Sequence, residues 1–118
     1  MTCEVKFYRT EAGHCPVKEF LDSLNGRQAQ KVTWVLRLVE ELAVVPAKYF
    51  KKLASSEDIW EARVDFGPDT FRLFGFFDGP KTVVLTHGFR KKTRKAPRQA
   101  ITLAQERKKD YFRRRRHE

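Results

Sequence analysis

"DIWEARVDFGPDTFRLFGFFDGPKTVVLTHGF", residues 58–89, decides the fold. Trp60, Ala62, Val64 and Phe66 alternate with Glu61, Arg63 and Asp65, the period of two expected of a strand with one buried face. "GPD" then marks a turn, "TFRLFGFF" a second strand, "DG" another turn and "KTVVLTHGF" a third strand. A parallel pair needs a crossover of a dozen or more residues, so strands joined this tightly form an antiparallel meander.

The faces fix a register. If Trp60, Ala62, Val64 and Phe66 turn toward helices, Phe71 and Leu73 must share that side, which sets Val64 opposite Phe71 and Arg63 opposite Arg72. Like charges directly across a sheet are unfavourable unless Glu61 or Asp65 neutralises them, and that residual penalty suggests a use for the pair. The same parity places Phe74 and Phe76 beside Arg72. Two readings compete there: an open face of guanidinium groups and aromatic rings suited to phosphates and unstacked bases, or a face whose phenylalanines lie under the C-terminal helix. Continuing the parity of Val83 and Leu85 puts His87 on the inner side near Phe71, where a hydrogen-bonded structural histidine is favoured over a catalytic one. Its ordinary pKa near 6.5 nonetheless suits proton transfer.

Upstream, "CEVKFYRT" alternates Val5 and Phe7 with Lys6 and Tyr8 and predicts a strand. "CPVKEFLDSLNG" predicts a short helix with Pro16 in its first turn and Asn25-Gly26 as its stop. In "RQAQKVTWVLRLVEELAVVP", Val32, Val35, Leu36, Val39, Leu42 and Ala43 form one apolar stripe, a helix ended by Pro46. Trp34 and Leu38 fall off the stripe, to pack under a loop or to form a partner-binding patch. Downstream, "APRQAITLAQERKKDYF" predicts a terminal helix with Pro97 near its start and Ile101, Ala104 and Tyr111 or Phe112 along one side. The expectation is an α+β fold in the order β-α-α-β-β-β-α, one domain over residues 1–112 followed by a basic, flexible tail over 113–118.

Charge is unevenly placed. The net +10 arises wholly after residue 89, where 13 Lys/Arg face 3 Asp/Glu; before it, 12 face 12. Such a localised cationic field attracts polyanions, nucleic acid or an acidic protein. Cys3 and Cys15 lack metal-ligand spacing, the histidines at 14, 87 and 117 are scattered, and no Gly-rich phosphate loop or Ser-His-Asp arrangement occurs, so neither metal nor nucleotide cofactor is expected. Without a leader or a run of about 18 apolar residues, a cytoplasmic chain with reduced thiols and no membrane contact is expected.

"YFKKL" (49–53) followed by "IWEARVDFGPDTFRLFGFFDGPKTVVLTHGFRKKTRKAP" (59–97) resembles the HigB-like, phage-derived branch of the RelE/ParE toxin superfamily. Members commonly show K-x-L, E-L-R, a turn, Y-R, an apolar strand ending in H-G-F, and a K-K-x-x-K-x-P run before the last helix. The resemblance implies a RelE-like fold, an antiparallel sheet with two N-terminal helices and one C-terminal helix. It also implies a type II toxin neutralised by a cognate antitoxin, expected to be a helix-turn-helix protein, with a dimer or a hetero-oligomer with that antitoxin left open. HigB-like and RelE-like members are metal-independent endoribonucleases that cut mRNA on the ribosome and inhibit translation. ParE-like relatives poison DNA gyrase on a similar fold, so the alternative is a non-catalytic gyrase poison or a phage nucleic-acid- or partner-binding protein.

Matched by motif, Arg72 takes the arginine of Y-R, Arg63 that of E-L-R, and Lys91 and Lys92 the paired lysines after H-G-F. Self-cleavage of RNA requires the 2′-hydroxyl deprotonated, the phosphorane stabilised and the 5′-oxygen protonated. Arginines stay protonated and serve the second need, which assigns Arg63 and Arg72 to the phosphate and transition state. A lysine acts as base only if its pKa falls, and the crowding of Arg90, Lys91, Lys92, Arg94 and Lys95 offers a cause. Lys91 and Lys92 are the proton-transfer candidates, with His87 secondary; Arg90, Arg94, Lys95, Arg98, Phe74 and Phe76 are the candidates for holding RNA. Three departures stand: "EAR" replaces E-L-R, Phe71 replaces tyrosine before Arg72, and no tyrosine follows the basic turn until Tyr111, which leaves a general acid unassigned.

Overall fold

A computed structural model describes residues 2–56 and 58–116. The elements are β1 (Glu4–Phe7), α1 (Pro16–Asp22), α2 (Gly26–Glu41), β2 (Phe50–Lys52), β3 (Trp60–Phe66), β4 (Asp69–Phe77), β5 (Thr82–Arg90) and α3 (Arg98–Arg115). The fold is α+β, with a five-stranded sheet in the order β1-β5-β4-β3-β2. β3, β4 and β5 form the expected antiparallel meander, with Val64 opposite Phe71 and Arg63 opposite Arg72.

Two features differ from expectation. The sheet is mixed rather than antiparallel, because β1 runs parallel to β5, Val5 opposite Val83 and Phe7 opposite Leu85. Alternation marks a strand but carries no information on its neighbour's direction; only short turns do, and β1 reaches the sheet through two helices. The order also gains β2, which pairs antiparallel with β3 through Phe50 opposite Ala62. Three residues are too few to display a period.

Helices cover both sides. On the inner face α1 and α2 pack Val17, Val32, Val35, Leu36 and Val39 onto Ala62, Val64, Phe71, Leu73, Val83 and Leu85. The α2 stripe stops at Val39, since the backbone turns extended at Leu42 (φ −86°, ψ 134°) and leaves Leu42 and Ala43 exposed. Asn25 does more than stop α1: its side chain accepts from the Gln28 amide at 2.9 Å while Gln28 Oε1 accepts from the Asn25 amide at 3.1 Å, a capping box that starts α2. Trp34 meets Tyr49 edge-to-face at 5.4 Å beneath Lys31, yet remains 41% exposed.

On the outer face α3 lays Ala104, with Ile101, Tyr111 and Phe112, over Tyr8, Ile59, Phe74, Phe76 and Val84. Phe74 and Phe76 are fully buried, so the helix-covered reading holds for them and they present no ring to a base. The stretch expected as a tail from residue 113 begins inside a helix. α3 continues through Arg115, with Asp110 accepting from Tyr8, Arg113 and Arg114, and Asp78 pairing with Tyr111 and Arg115. His117 and Glu118 of that stretch lie outside the described residues.

A β-bulge explains where His87 goes. Phe74 faces His87 and Gly75 faces Leu85, so Thr86 is an extra residue without a partner and parity inverts beyond it. His87 therefore lies on the outer side against Phe74 and Phe89, not on the inner side near Phe71. Gly88 takes the inner position instead, where an added Cβ would come within 2.5 Å of the Phe20 ring.

Candidate active site

The charged end of the outer face is built by three strands. β3 contributes Glu61, Arg63 and Asp65, β4 contributes Arg72 directly across from Arg63, and the residue after β5, Lys91, joins them by donating its amide to the Thr70 carbonyl at 2.8 Å. Side chains opposite each other in such a ladder stand about 5 Å apart at Cβ, so the two guanidinium groups are brought together by register alone.

Glu61 makes that pair tolerable. Its carboxylate, in a residue only 5% exposed, places Oε1 3.4 Å from Arg63 Nε and Oε2 3.5 Å from Arg72 Nε. Both Nε–H groups are buried and neither is aimed well enough at Glu61 to hydrogen-bond, so these contacts are electrostatic and loose. Arg72, also 5% exposed, is held from its other side: Nη1 donates to the Phe71 carbonyl at 2.9 Å and lies 3.6 Å from Asp65 Oδ1.

Beside this group opens a cleft of about 790 Å³ between β2, β3 and the start of α3. Its walls include Lys51, Lys52, Glu61, Arg63, Lys91, Arg94, Lys95 and Arg98, with Ile101 and Gln105 of α3. Arg72 does not line it; it lies behind Glu61. Among the described residues the cleft is thus a cationic groove over one buried carboxylate, Glu61, suited to a chain of phosphates.

Lys91 has the environment of a candidate proton acceptor. Burial first, then Arg72 and Arg63, push its ammonium pKa below the usual lysine value, while Glu61 and Asp65 pull the other way. The cations responsible, Arg72 and Arg63, sit across the sheet, not along the chain as the run of basic residues suggested.

The remaining candidates separate. Arg94, Lys95 and Arg98 reach the cleft. Lys92 is exposed and does not line it. Arg90 belongs to the inner side, ion-paired to Asp69 at 3.3 Å with its guanidinium over the Phe71 ring. His87 is buried away from the cleft, its Nδ1 2.9 Å from Thr86 Oγ1 and its Nε2 without a partner among the described residues. Burial, aided by Arg107, lowers its pKa to about 4, so it is neutral at pH 7 and packs as an aromatic ring.

Glu61, Lys51 and Lys52 are the site residues that sequence reasoning missed. Glu61 was expected only to neutralise its neighbours, and the lysines lie on the strand too short to be read, although "YFKKL" is itself an element of the resemblance. Among the described residues no group of three or more His, Cys, Asp or Glu could hold a metal ion, and no helix is long and apolar enough to cross a membrane.

No curated protein matches the chain. The family described as Phage derived protein Gp49-like (DUF891) matches residues 19–109, from within α1 into α3, so its pattern spans β2 to β5 and every wall of the cleft. The chain belongs to this phage-derived Gp49-like family.

Proposed function

We propose that the protein is the toxin of a type II toxin–antitoxin pair, a HigB-like endoribonuclease that cuts mRNA on the ribosome and stops translation. The observation that carries this is the meeting of Arg63 of β3, Arg72 of β4 and Lys91 just after β5, beside a cleft rimmed by Lys51, Lys52, Arg94, Lys95 and Arg98. Family membership supports a phage-derived protein of this kind. The protein acts in the cytoplasm without a metal, and its partner is a cognate antitoxin, expected to be a helix-turn-helix protein.

In this mechanism the rim lysines and arginines track the RNA backbone and hold the scissile phosphate toward Arg63. Lys91 in its neutral form takes the 2′-hydroxyl proton. The 2′-oxygen attacks phosphorus, a 2′,3′-cyclic phosphate forms, and the 5′-oxygen leaves with a proton from solvent or from the lysine just protonated. Arg63 and Arg72 stabilise the charge that grows on the phosphorane. The rate then rises with pH through the lowered lysine pKa, because only the deprotonated amine can accept. Induced expression should arrest growth and release mRNA fragments, and Arg63→Ala or Arg72→Ala should relieve both; arrest that persists in the folded variants rules the mechanism out.

One observation favours a second reading, a non-catalytic protein of the same fold such as a gyrase poison or a phage nucleic-acid- or partner-binding protein. Arg72 stands behind Glu61 rather than in the cleft wall. Toxicity with intact mRNA and broken DNA would select that reading.

A further inference from the structure

Glu61 is a carboxylate in the one place where the proposed chemistry wants a phosphate. It faces both guanidinium groups at once, one oxygen toward each Nε, at 3.4 and 3.5 Å. Yet it satisfies neither as a hydrogen-bond acceptor, and among the described residues the two buried Nε–H groups are left without a bond. A permanent counter-ion would be expected to make directed bonds at about 2.8 Å. A backbone phosphodiester carries its charge on two non-bridging oxygens set tetrahedrally and wider apart than a carboxylate's, and can accept from both donors at once.

We infer that the gap between Arg63 and Arg72 is an anion site occupied in the free protein by Glu61, whose carboxylate is displaced by a phosphate of the bound backbone. Two further observations support the exchange. Glu61 lines the cleft, so its carboxylate can swing out without opening the core. Arg72 is also held independently of Glu61, because Nη1 donates to the Phe71 carbonyl and lies 3.6 Å from Asp65 Oδ1. The consequence concerns ligand class. A resident anion opposes inorganic phosphate and free nucleotides, which have only this gap to offer for, whereas a polynucleotide gains contacts with Lys51, Arg94, Lys95 and Arg98 that offset the displacement.

The inference rests on the reading of the cleft as a polynucleotide site, and not on cleavage. The test uses full-length protein and an oligonucleotide with 2′-deoxyribose at every position, which cannot be cut, at fixed ionic strength. Glu61→Gln should bind it roughly tenfold more tightly than the wild type, because no resident negative charge has to be displaced, and should bind inorganic phosphate more tightly too. Equal or weaker binding by a folded Glu61→Gln protein overturns the inference and makes Glu61 a fixed scaffold for the arginines. If that variant does not fold, titrating the wild type with the same oligonucleotide while following the Arg63 and Arg72 Nε–H and the Glu61 carboxyl resonances decides it. All three moving together supports the exchange, and arginines that move while Glu61 stays still overturn it. A wild type that binds neither probe removes the polynucleotide reading and the inference together; one that binds but never cuts ribonucleotide RNA removes the nuclease mechanism alone.

Discussion

Arg72 and Phe76 leave the same side of β4 four residues apart, yet they belong to two different regions. Phe76 lies under α3, in edge-to-face or tilted contact with Tyr111 and Phe112 at about 5 Å, and no solvent reaches it. Arg72 lies where α3 has only begun, beside Glu61 and Asp65, at the back of a cleft. One alternating face has thus been divided by a helix into a half that stabilises and a half that is charged. Strand pattern sets which way a side chain points; the element laid over it sets what that direction means.

The sharpest test of the division sets one substitution in each half against the other. Phe76→Ala should cost about 3–5 kcal/mol in urea unfolding, as for other large buried aromatics. Arg63→Ala, at a partly exposed position, should change stability by under about 1 kcal/mol while lowering RNA cleavage by roughly 10²-fold or more. Similar stability losses in both would break the comparison.

His87 tests the covered half through pH. Its folded pKa of about 4 lies below the ordinary value of 6.5, so between these pH values the unfolded chain binds a proton that the folded chain does not. Stability from this group is complete above about pH 6.5 and falls by roughly 1.4 kcal/mol per unit as pH drops toward 4. Unfolding free energies of His87→Gln should lack this slope, and an identical slope in both proteins would show that other groups set it.

A smaller effect is expected where the bulge redirects the chain. Gly88→Ala must push its methyl into the Phe20 ring, at about 1–3 kcal/mol in thermal or urea unfolding. An unchanged midpoint would mean that α1 yields freely. Smallest is the far end of α3. The Tyr8 hydroxyl first, with Arg113 and Arg114, holds the Asp110 carboxyl below the usual carboxylate value. Its contribution is present above the unfolded pKa near 4 and is lost as pH falls through the lower folded value. Asp110→Asn should therefore be less stable at pH 7 by about 1 kcal/mol, with the gap closing in acid; a gap independent of pH would point to lost packing instead.

Most of the fold was legible because the informative signals are local. Alternation from Trp60 to Phe66, tight turns at Gly67 and Gly79, and the valine stripe of α2 each occupy a handful of residues. The Arg63–Arg72 pairing followed from those signals plus one face assignment. What was not legible is non-local or too small. β2 has three residues, β1 has its direction set by distant packing, and Thr86 shows nothing in sequence of the bulge that sends His87 to the other face. The basic run from Arg90 to Arg98 read as one feature, but the fold distributes it, Arg90 to the inner face, Lys91 into the charged cluster, and Arg94, Lys95 and Arg98 onto the rim of the cleft. The aromatic candidates failed for a related reason: no pattern in β4 announces how far along it α3 will lie.

The central claim is that the charged half cleaves RNA. It is tested most directly by mapping the 5′ ends of mRNA across the transcriptome shortly after induction, in cells carrying the wild-type chain, Arg63→Ala or Lys91→Met. The account predicts new ends within translated regions for the wild type, and few or none for either variant at equal protein level. Growth arrest by the wild type with no new mRNA ends would contradict it.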